Sequence, residues 1–173
     1  NDPYDNNGAA YYSHGSHVAG TIAAVGNNFE GLAGVAYKAK ILPVRVLGGG
    51  FSDVADGIIW AAGGDVPGVP RNMNPAQVIN MSLGARWHSC MKNVQQAIDF
   101  ANSKKVVVVV AAMNDGVDAK NATPANCSGV ISVAATDRTG AIAGFSNYGK
   151  TVTIAAPGED IVSVTTAQRF GAS

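Results

Sequence analysis

Residues 91–112 read MKNVQQAIDFANSKKVVVVVAA, and this stretch decides the fold class. In its first half, apolar residues recur at three- and four-residue spacing, at Val94, Ala97, Ile98 and Ala101. That spacing predicts a surface helix with one buried stripe. The apolar run that starts at Val106 is eight residues long, so it is too short to span a bilayer and predicts a buried strand. A helix followed by a buried strand indicates an α/β protein.

The rest of the chain repeats this alternation. Strands are predicted at residues 41–47, 78–83, 106–112, 130–134 and 151–155. A further helix is predicted after Gly48–Gly50, with Ser52 or Asp53 as its N-cap, and it should end near Gly63. The sequence therefore predicts an α/β fold, in which a parallel sheet carries helices on both faces. Nothing in a length of 173 residues requires a second domain.

Composition excludes several classes of protein. Twelve Lys and Arg balance twelve Asp and Glu, and 47% of the residues are apolar, so neither disorder nor a nucleic-acid partner is expected. No segment is long enough to predict a membrane span. The chain opens on Asn1 without a signal peptide, which is typical of a processed product or an excised piece.

Two cysteines, Cys90 and Cys127, are too few for a four-ligand zinc site and too far apart for a CxxC redox motif. One disulfide is the natural interpretation, and two free buried thiols are the alternative. A disulfide here would stabilise the fold by roughly 3–4 kcal/mol and would imply an oxidising compartment.

Residues 12–21 read Tyr-Ser-His-Gly-Ser-His-Val-Ala-Gly-Thr. His14 is predicted at a loop-to-helix junction, where small neighbours would let the helix pack closely and hold the imidazole as a general base must be held. His14 and His17, three residues apart, could equally form half a metal site. The spacing alone supports either use.

The whole string resembles the histidine motif of the subtilisin family, His-Gly-Thr-His-Val-Ala-Gly-Thr. The resemblance implies a subtilisin-like serine endopeptidase in which His14 accepts the proton of a serine hydroxyl and His17 is a structural residue of the same helix. It continues in order along the chain and covers the central part of one catalytic domain, residues 1–173.

Residues 27–36 resemble the family's calcium loop. The resemblance implies that Asn28 offers its side-chain oxygen and that Val25, Glu30 and Leu32 offer carbonyls; such hard oxygen ligands suit Ca²⁺. Without the resemblance, two Asn residues in this stretch indicate only a turn. Asp2 and Asp5 could bind a second calcium, or could form a solvated acidic turn.

Two segments resemble the family's substrate-binding strands. Ser82-Leu83-Gly84 would pair with an extended peptide and wall the primary specificity pocket, and Gly48, Gly49 and Phe51 lie where the opposing strand would run.

A third segment, Ala112-Met113-Asn114, resembles the family's Ala-Gly-Asn, which makes Asn114 the donor to the oxyanion. Met113 stands where the family has Gly, so we expect a restricted pocket. Residues 145–149 and 156–158 also look like family segments, which support the far side of the pocket.

The family's Gly-Thr-Ser-Met-Ala and Asp-Ser/Thr-Gly motifs, which carry the nucleophile and the aspartate, do not occur in the 173 residues. The resemblance therefore implies that the chain alone is inactive and needs the missing parts of its own catalytic domain. It further implies a secreted, extracellular protein whose partners are polypeptide substrates or peptide inhibitors.

Two alternatives stay open at this point. The chain could be a non-catalytic, peptide-binding pseudo-protease. It could also be a dinucleotide-binding α/β domain with Gly48 and Gly50 as the phosphate turn, although Asp53 would then repel a pyrophosphate at the helix N-terminus.

Overall fold

The computed structural model describes residues 14–164 and 170–172, and for the last three it describes the backbone only. The predictions for Asp2 and Asp5 lie outside the described residues. The chain divides into two units, one formed by Asn1–Arg45 with Asp160–Ser173 and the other by Val46–Glu159.

The described chain holds three helices and eight strands. In chain order they are α1 (His14–Ala23), α2 (Phe51–Ala61), β1 (Val78–Met81), β2 (Ala85–Arg86), α3 (Lys92–Ser103), β3 (Val107–Ala111), β4 (Ala122–Thr123), β5 (Ile131–Thr136), β6 (Ile154–Pro157), β7 (Val162–Val164) and β8 (Phe170–Ala172). A short 3₁₀ turn, Ala119–Asn121, precedes β4. Within the described residues no helix has the length and apolar character needed to cross a membrane.

The unit Val46–Glu159 is built on a four-stranded sheet in the order β1-β3-β5-β6, in which every neighbouring pair is parallel. The chain passes from β1 through α3 to β3, which is the crossover that parallel neighbours require. The predicted α/β class with a parallel sheet is confirmed. A separate antiparallel pair, β2 with β4, joins residues 85–86 to residues 122–123.

The core of this unit lies between the two helices and the sheet. The predicted apolar stripe of α3 is fully buried, at Val94, Ala97, Ile98 and Ala101. It packs with α2 and with Val108 and Val110 of β3. The predicted helix at residues 91–103 is therefore confirmed, with Met91 as its N-cap.

Three predicted boundaries differ from the structure. Residues 41–47 belong to no strand of the described chain, and Ile41, Leu42 and Val44 are exposed. Helix α2 begins at Phe51, earlier than an N-cap at Ser52 or Asp53 allows. The strand predicted at residues 151–155 is shifted to β6.

The other unit contains α1 and the antiparallel pair β7–β8. Ser163 of β7 is buried and its hydroxyl donates to the carbonyl oxygen of His17 at 2.7 Å. A Cβ at Gly20 would lie 2.5 Å from Ser163 Oγ and 2.6 Å from Val164 Cγ2. The absence of a side chain at Gly20 thus allows α1 to lie directly against β7, as the small residues of the motif predict.

Candidate active site

Two loops leave the same edge of the main sheet. Because β1 and β3 are parallel neighbours, residues 82–84 after β1 and residues 112–118 after β3, here called the β3 loop, start side by side. A Cβ at Gly84 would lie 2.8 Å from Met113 Sδ, so the two segments touch. The structure thus brings together the sequence-predicted residues Ser82, Leu83, Gly84, Ala112, Met113 and Asn114. The carboxyl edge of a parallel sheet is where α/β proteins bind ligands.

Met113 has a left-handed backbone, with φ of 79°. Such a conformation suits glycine and is uncommon for a long side chain. The side chain is partly buried and packs on the core beside Leu83. The thioether therefore lies against Gly84, in the space that a glycine at position 113 would leave open.

Asn114 projects from the middle of the β3 loop. Its side chain is exposed and makes no hydrogen bond to another described residue. The backbone on either side is held: Ala112 N donates to Val133 O at 2.9 Å, and Gly116 N donates to Phe145 O at 2.9 Å. A fixed backbone with a free amide is what a hydrogen-bond donor to a ligand needs.

Asn147 is a residue of this site that the sequence reasoning did not single out. It is fully buried, and its Oδ1 accepts the backbone N–H groups of Asp115 at 3.0 Å and Val117 at 3.1 Å. The backbone N–H of Asn147 donates to Met113 O at 2.9 Å. A polar residue inside the segment 145–149 was visible in the sequence, but its burial depends on contacts more than thirty positions away.

A second side-chain contact reaches the same loop. Arg86 Nη1 lies 3.1 Å from Asp115 Oδ1, and the Asp115 side chain is only 22% exposed. This ion pair joins β2 to the residue that follows Asn114. Because the Arg86 side chain is mostly exposed, the pair contributes at most about 1 kcal/mol.

The segment that contains Gly48, Gly49 and Phe51 belongs to no strand of the described chain. Its pairing with a substrate stays a prediction. Gly48 has φ of 95° and lies in a turn, while Phe51 starts α2 and packs on the core. Asp53 Oδ2 accepts the N–H of Gly50 at 2.7 Å. That carboxylate occupies the helix N-terminus, where a dinucleotide would place its phosphate, and it disfavours the dinucleotide-binding alternative.

His14 and His17 lie in the other unit, in the first turn of α1 as described. Both are partly buried, and neither is without an interaction partner. The carbonyl oxygen of His17 accepts the hydroxyls of Thr21 at 3.1 Å and Ser163 at 2.7 Å. His17 therefore anchors α1 through its backbone, which fits the structural role that the resemblance implies.

The predicted calcium ligands lie in a loop of residues 24–34, here called the α1 loop. Val25, Asn28, Glu30 and Leu32 all line one pocket of about 350 Å³ in this unit. Asn28 Oδ1 accepts the N–H of Glu30 at 3.1 Å. Among the described residues no cluster of three His, Cys, Asp or Glu side chains could hold a metal, so an ion here would depend on backbone and amide oxygens. Such a neutral oxygen set fits Ca²⁺.

The predicted disulfide is present. Cys90 and Cys127 are bonded, with their Cα atoms 5.0 Å apart. Cys127 is buried, and its Sγ lies 3.8 Å from Thr123 Oγ1. The carbonyl oxygen of Thr123 in turn lies close to Gly84 at the sheet edge. The alternative of two free thiols is thereby excluded.

A model of the subtilase family, peptidase family S8, matches residues 1–172. The chain belongs to this family. The family resemblance that began with the motif around His14 is thus confirmed, and it covers almost every residue of the chain.

Named subtilase relatives include two bacterial extracellular proteases. The extracellular protease of Xanthomonas campestris pv. campestris is 55% identical over 153 residues, which are 87% of this chain and 26% of the relative. The extracellular basic protease of Dichelobacter nodosus is also 55% identical over 153 residues, 87% of this chain and 25% of the relative. The chain therefore spans about a quarter of the length of these relatives.

Two solved structures share the fold. A protease from Pseudoalteromonas arctica matches with a TM-score of 0.89 and 46% identity, over 99% of this chain and 59% of that one. A cold-adapted subtilisin-like serine proteinase matches with a TM-score of 0.77 and 31% identity, over 98% of this chain and 59% of that one. The subtilisin-like fold is shown by both likenesses.

Proposed function

We propose that the protein containing this chain is a secreted serine endopeptidase that cleaves extended polypeptides. The observation that carries the proposal is Asn114, a free, exposed amide on a braced loop at the carboxyl edge of the sheet, next to residues 82–84. Membership of the subtilase family supports it, as do the relatives named extracellular protease. The disulfide is consistent with secretion, since such bonds persist in oxidising compartments.

Asn114 is proposed to donate its side-chain N–H to the oxygen that becomes negatively charged when a peptide carbonyl is attacked. Such a donor meets charge that exists only in the transition state, so it lowers the barrier by about 3–4 kcal/mol. Residues 82–84 belong to neither β1 nor β2 and are proposed to pair with the backbone of the substrate.

His14 is proposed to act as general base for a serine hydroxyl and then as general acid for the leaving amine. Neither the serine motif nor the aspartate motif of the family occurs in the 173 residues, so the proposal assigns both groups to sequence outside them. His17 is proposed to have a structural role and no part in the chemistry, as the family resemblance implies; its carbonyl oxygen accepts the hydroxyls of Thr21 and Ser163.

Met113 is proposed to restrict the primary specificity pocket to small side chains. Its thioether fills the space over Gly84, where a larger substrate side chain would have to lie. Replacement by glycine should therefore raise kcat/KM for large side chains by about 10- to 100-fold, with little change for alanine. A series of peptide p-nitroanilides measures this, and equal gains for alanine and phenylalanine substrates would contradict it.

The α1 loop is proposed to bind Ca²⁺ through Asn28 Oδ1 and the carbonyl oxygens of Val25, Glu30 and Leu32. The proposal is supported by the shared pocket and by the choice of oxygen donors. When bound, the ion would supply positive charge that gathers these oxygens and closes the loop.

The test of the proposed function uses the full-length protein. His14→Ala should lower kcat on a peptide substrate by on the order of 10⁶-fold. His17→Ala, the matched control three residues away, should retain turnover and fluorophosphonate labelling. The 173-residue chain alone should not label.

Three results would contradict the proposal. Turnover that survives His14→Ala would remove the general base. Equal loss in both histidine variants, together with loss of a bound metal, would favour the metal reading. Peptide binding without turnover in the wild-type protein would favour the pseudo-protease reading.

A further inference from the structure

We propose that Asn147 is a positioning residue that fixes the Asn114 amide for catalysis. The inference rests on the proposed function, because it assigns Asn147 a part in the same reaction. Asn147 is named by neither the family resemblance nor the sequence reasoning as an active-site residue, and its role follows from the hydrogen bonds of the β3 loop.

Asn147 forms hydrogen bonds with the β3 loop on both sides of Asn114. Before it, the backbone N–H of Asn147 donates to Met113 O at 2.9 Å, a bond that does not depend on the side chain. After it, Asn147 Oδ1 accepts from Asp115 N at 3.0 Å and from Val117 N at 3.1 Å. The Asn147 side chain thus binds two backbone groups, one and three positions after Asn114, while its backbone binds the residue directly before Asn114.

Burial of the polar Asn147 side chain costs free energy, which its hydrogen bonds to the β3 loop must offset. Asn147 has no exposed surface, and its Nδ2 is buried without a hydrogen-bond partner among the described residues. A buried N–H left without a partner costs about 1–3 kcal/mol. A leucine of similar shape would avoid that cost but would leave the N–H groups of Asp115 and Val117 without their acceptor.

Loss of the Oδ1 acceptor would leave the N–H groups of Asp115 and Val117 without their partner and so loosen the backbone that follows Asn114. The loop would keep its backbone contacts with residues 145–148 and the ion pair of Asp115. A displacement of about 1 Å in a reacting or stabilising group costs on the order of 10²-fold in rate. We therefore expect an effect on kcat that is larger than any effect on KM.

The experiment uses the full-length protein and a peptide p-nitroanilide. Asn147→Leu is expected to lower kcat by about 10- to 100-fold and to change KM by less than about 3-fold. Asn147→Ser, whose hydroxyl is too short to reach both N–H groups, gives the same readout if the leucine variant does not fold. Unchanged kcat in whichever variant folds overturns the inference.

Asn72 provides a matched control. It is also a buried asparagine that binds backbone: its Nδ2 donates to Trp60 O and Ala61 O, and its Oδ1 accepts from Asn74 N at 2.9 Å. These contacts are made to the end of α2 and not to the β3 loop. Asn72→Leu should lower the melting temperature but leave kcat within about 2-fold. An equal loss of kcat in Asn72→Leu would show a general effect of instability and overturn the inference.

A double-mutant cycle separates positioning from independent action. If Asn147 acts through Asn114, then Asn147→Leu should lower kcat by less than about 3-fold in the Asn114→Ala background. The same fractional loss in both backgrounds overturns the inference but leaves the proposed function intact. Wild-type kcat in Asn114→Ala alone would contradict the oxyanion role in the proposed function, and with it the inference.

Discussion

The β3 loop carries predicted active-site residues and the α1 loop carries the predicted calcium ligands. The two loops differ in how many hydrogen bonds hold them. The β3 loop is tied by a buried asparagine, by backbone contacts to residues 145–148 and by an ion pair. Within residues 25–33 of the described α1 loop, the hydrogen bonding consists of one contact, between Glu30 N and Asn28 Oδ1.

The fold therefore organises the β3 loop, whereas the α1 loop has few contacts of its own. The α1 loop is closed at its base, where Gly34 N donates to Ala24 O at 2.9 Å. Its tip carries the fully exposed Phe29 and three left-handed residues, Asn27, Phe29 and Gly31. A tip with so few internal contacts has low local stability unless an ion binds it.

The disulfide lies in the same unit as the β3 loop, and the 173 residues contain no other cysteine. Replacement of Cys90 and Cys127 by alanine should lower the free energy of unfolding by roughly 3–4 kcal/mol, because the unfolded chain regains the conformational entropy that the disulfide removes. Urea unfolding of the full-length protein in the His14→Ala background, which is proposed to avoid autolysis, measures this. The double variant should unfold at a lower urea concentration than the same protein with both cysteines, and an unchanged midpoint would refute the prediction.

The α1 loop should respond to calcium. At free Ca²⁺ about one hundred times its dissociation constant, binding to the folded state alone would add about 2.7 kcal/mol of stability, and chelation would remove it. Asn28→Ala should abolish most of the calcium-dependent rise in melting temperature. Asn27→Gly is the matched control, since Asn27 has φ of 60°, where glycine fits. A calcium response that persists in Asn28→Ala contradicts the proposed ligand set.

The sheet edge should not tolerate a side chain at Gly84. A Cβ there would lie 2.5 Å from the carbonyl oxygen of Thr123, a backbone atom that cannot turn aside. We expect Gly84→Ala to lower the free energy of unfolding by about 1–3 kcal/mol, as overpacking does. Gly144→Ala is the control, because nothing lies within 4 Å of its Cβ position and its φ is not left-handed. Similar unfolding midpoints for the two variants would show that the edge is not rigid.

Local pattern predicted α3 and the valine strand because both signals are contained in about ten residues. The stripe from Val94 to Ala101 is buried as its spacing indicates, and β3 lies inside the predicted range. The histidine motif, residues 82–84 and residues 112–114 were likewise predicted from short strings of sequence.

Features that depend on distant partners were not predictable. Residues 41–47 have the composition of a strand, but they join none of the sheets of the described chain, because sheet pairing depends on a partner that composition does not specify. Asn147 is recognisable as important only once the β3 loop is seen to fold over it. Met113 shows the intermediate case: the sequence raised the question of a crowded pocket, and only its contact with Gly84 shows where the side chain lies.

A third loop, residues 137–141 after β5, shows how a short loop can be closed by its own carboxylate. Asp137 Oδ1 accepts from Thr139 N and Thr139 Oγ1, both at 2.8 Å, and from Ala141 N at 3.0 Å. The side-chain hydrogen bond from Thr139 is the main reason that the pKa of Asp137 lies below its ordinary value of 3.8. A lowered pKa means that the folded state favours the charged form, so this contribution to stability is complete above the ordinary value and is lost as pH falls through the folded-state pKa.

We therefore expect Asp137→Ala to have the smallest of these effects, a slightly lower melting temperature at neutral pH. The difference from wild type should shrink as pH falls below about 3.8. Thr139→Val, which removes one of the three donors and keeps both backbone N–H groups, should move the pKa of Asp137 part of the way back, as an NMR titration of the carboxyl carbon can show. A pKa unchanged in Thr139→Val would mean that the backbone donors alone close this loop. The single Asn28 contact of the α1 loop would then be less exceptional, and the case for an ion there would be weaker.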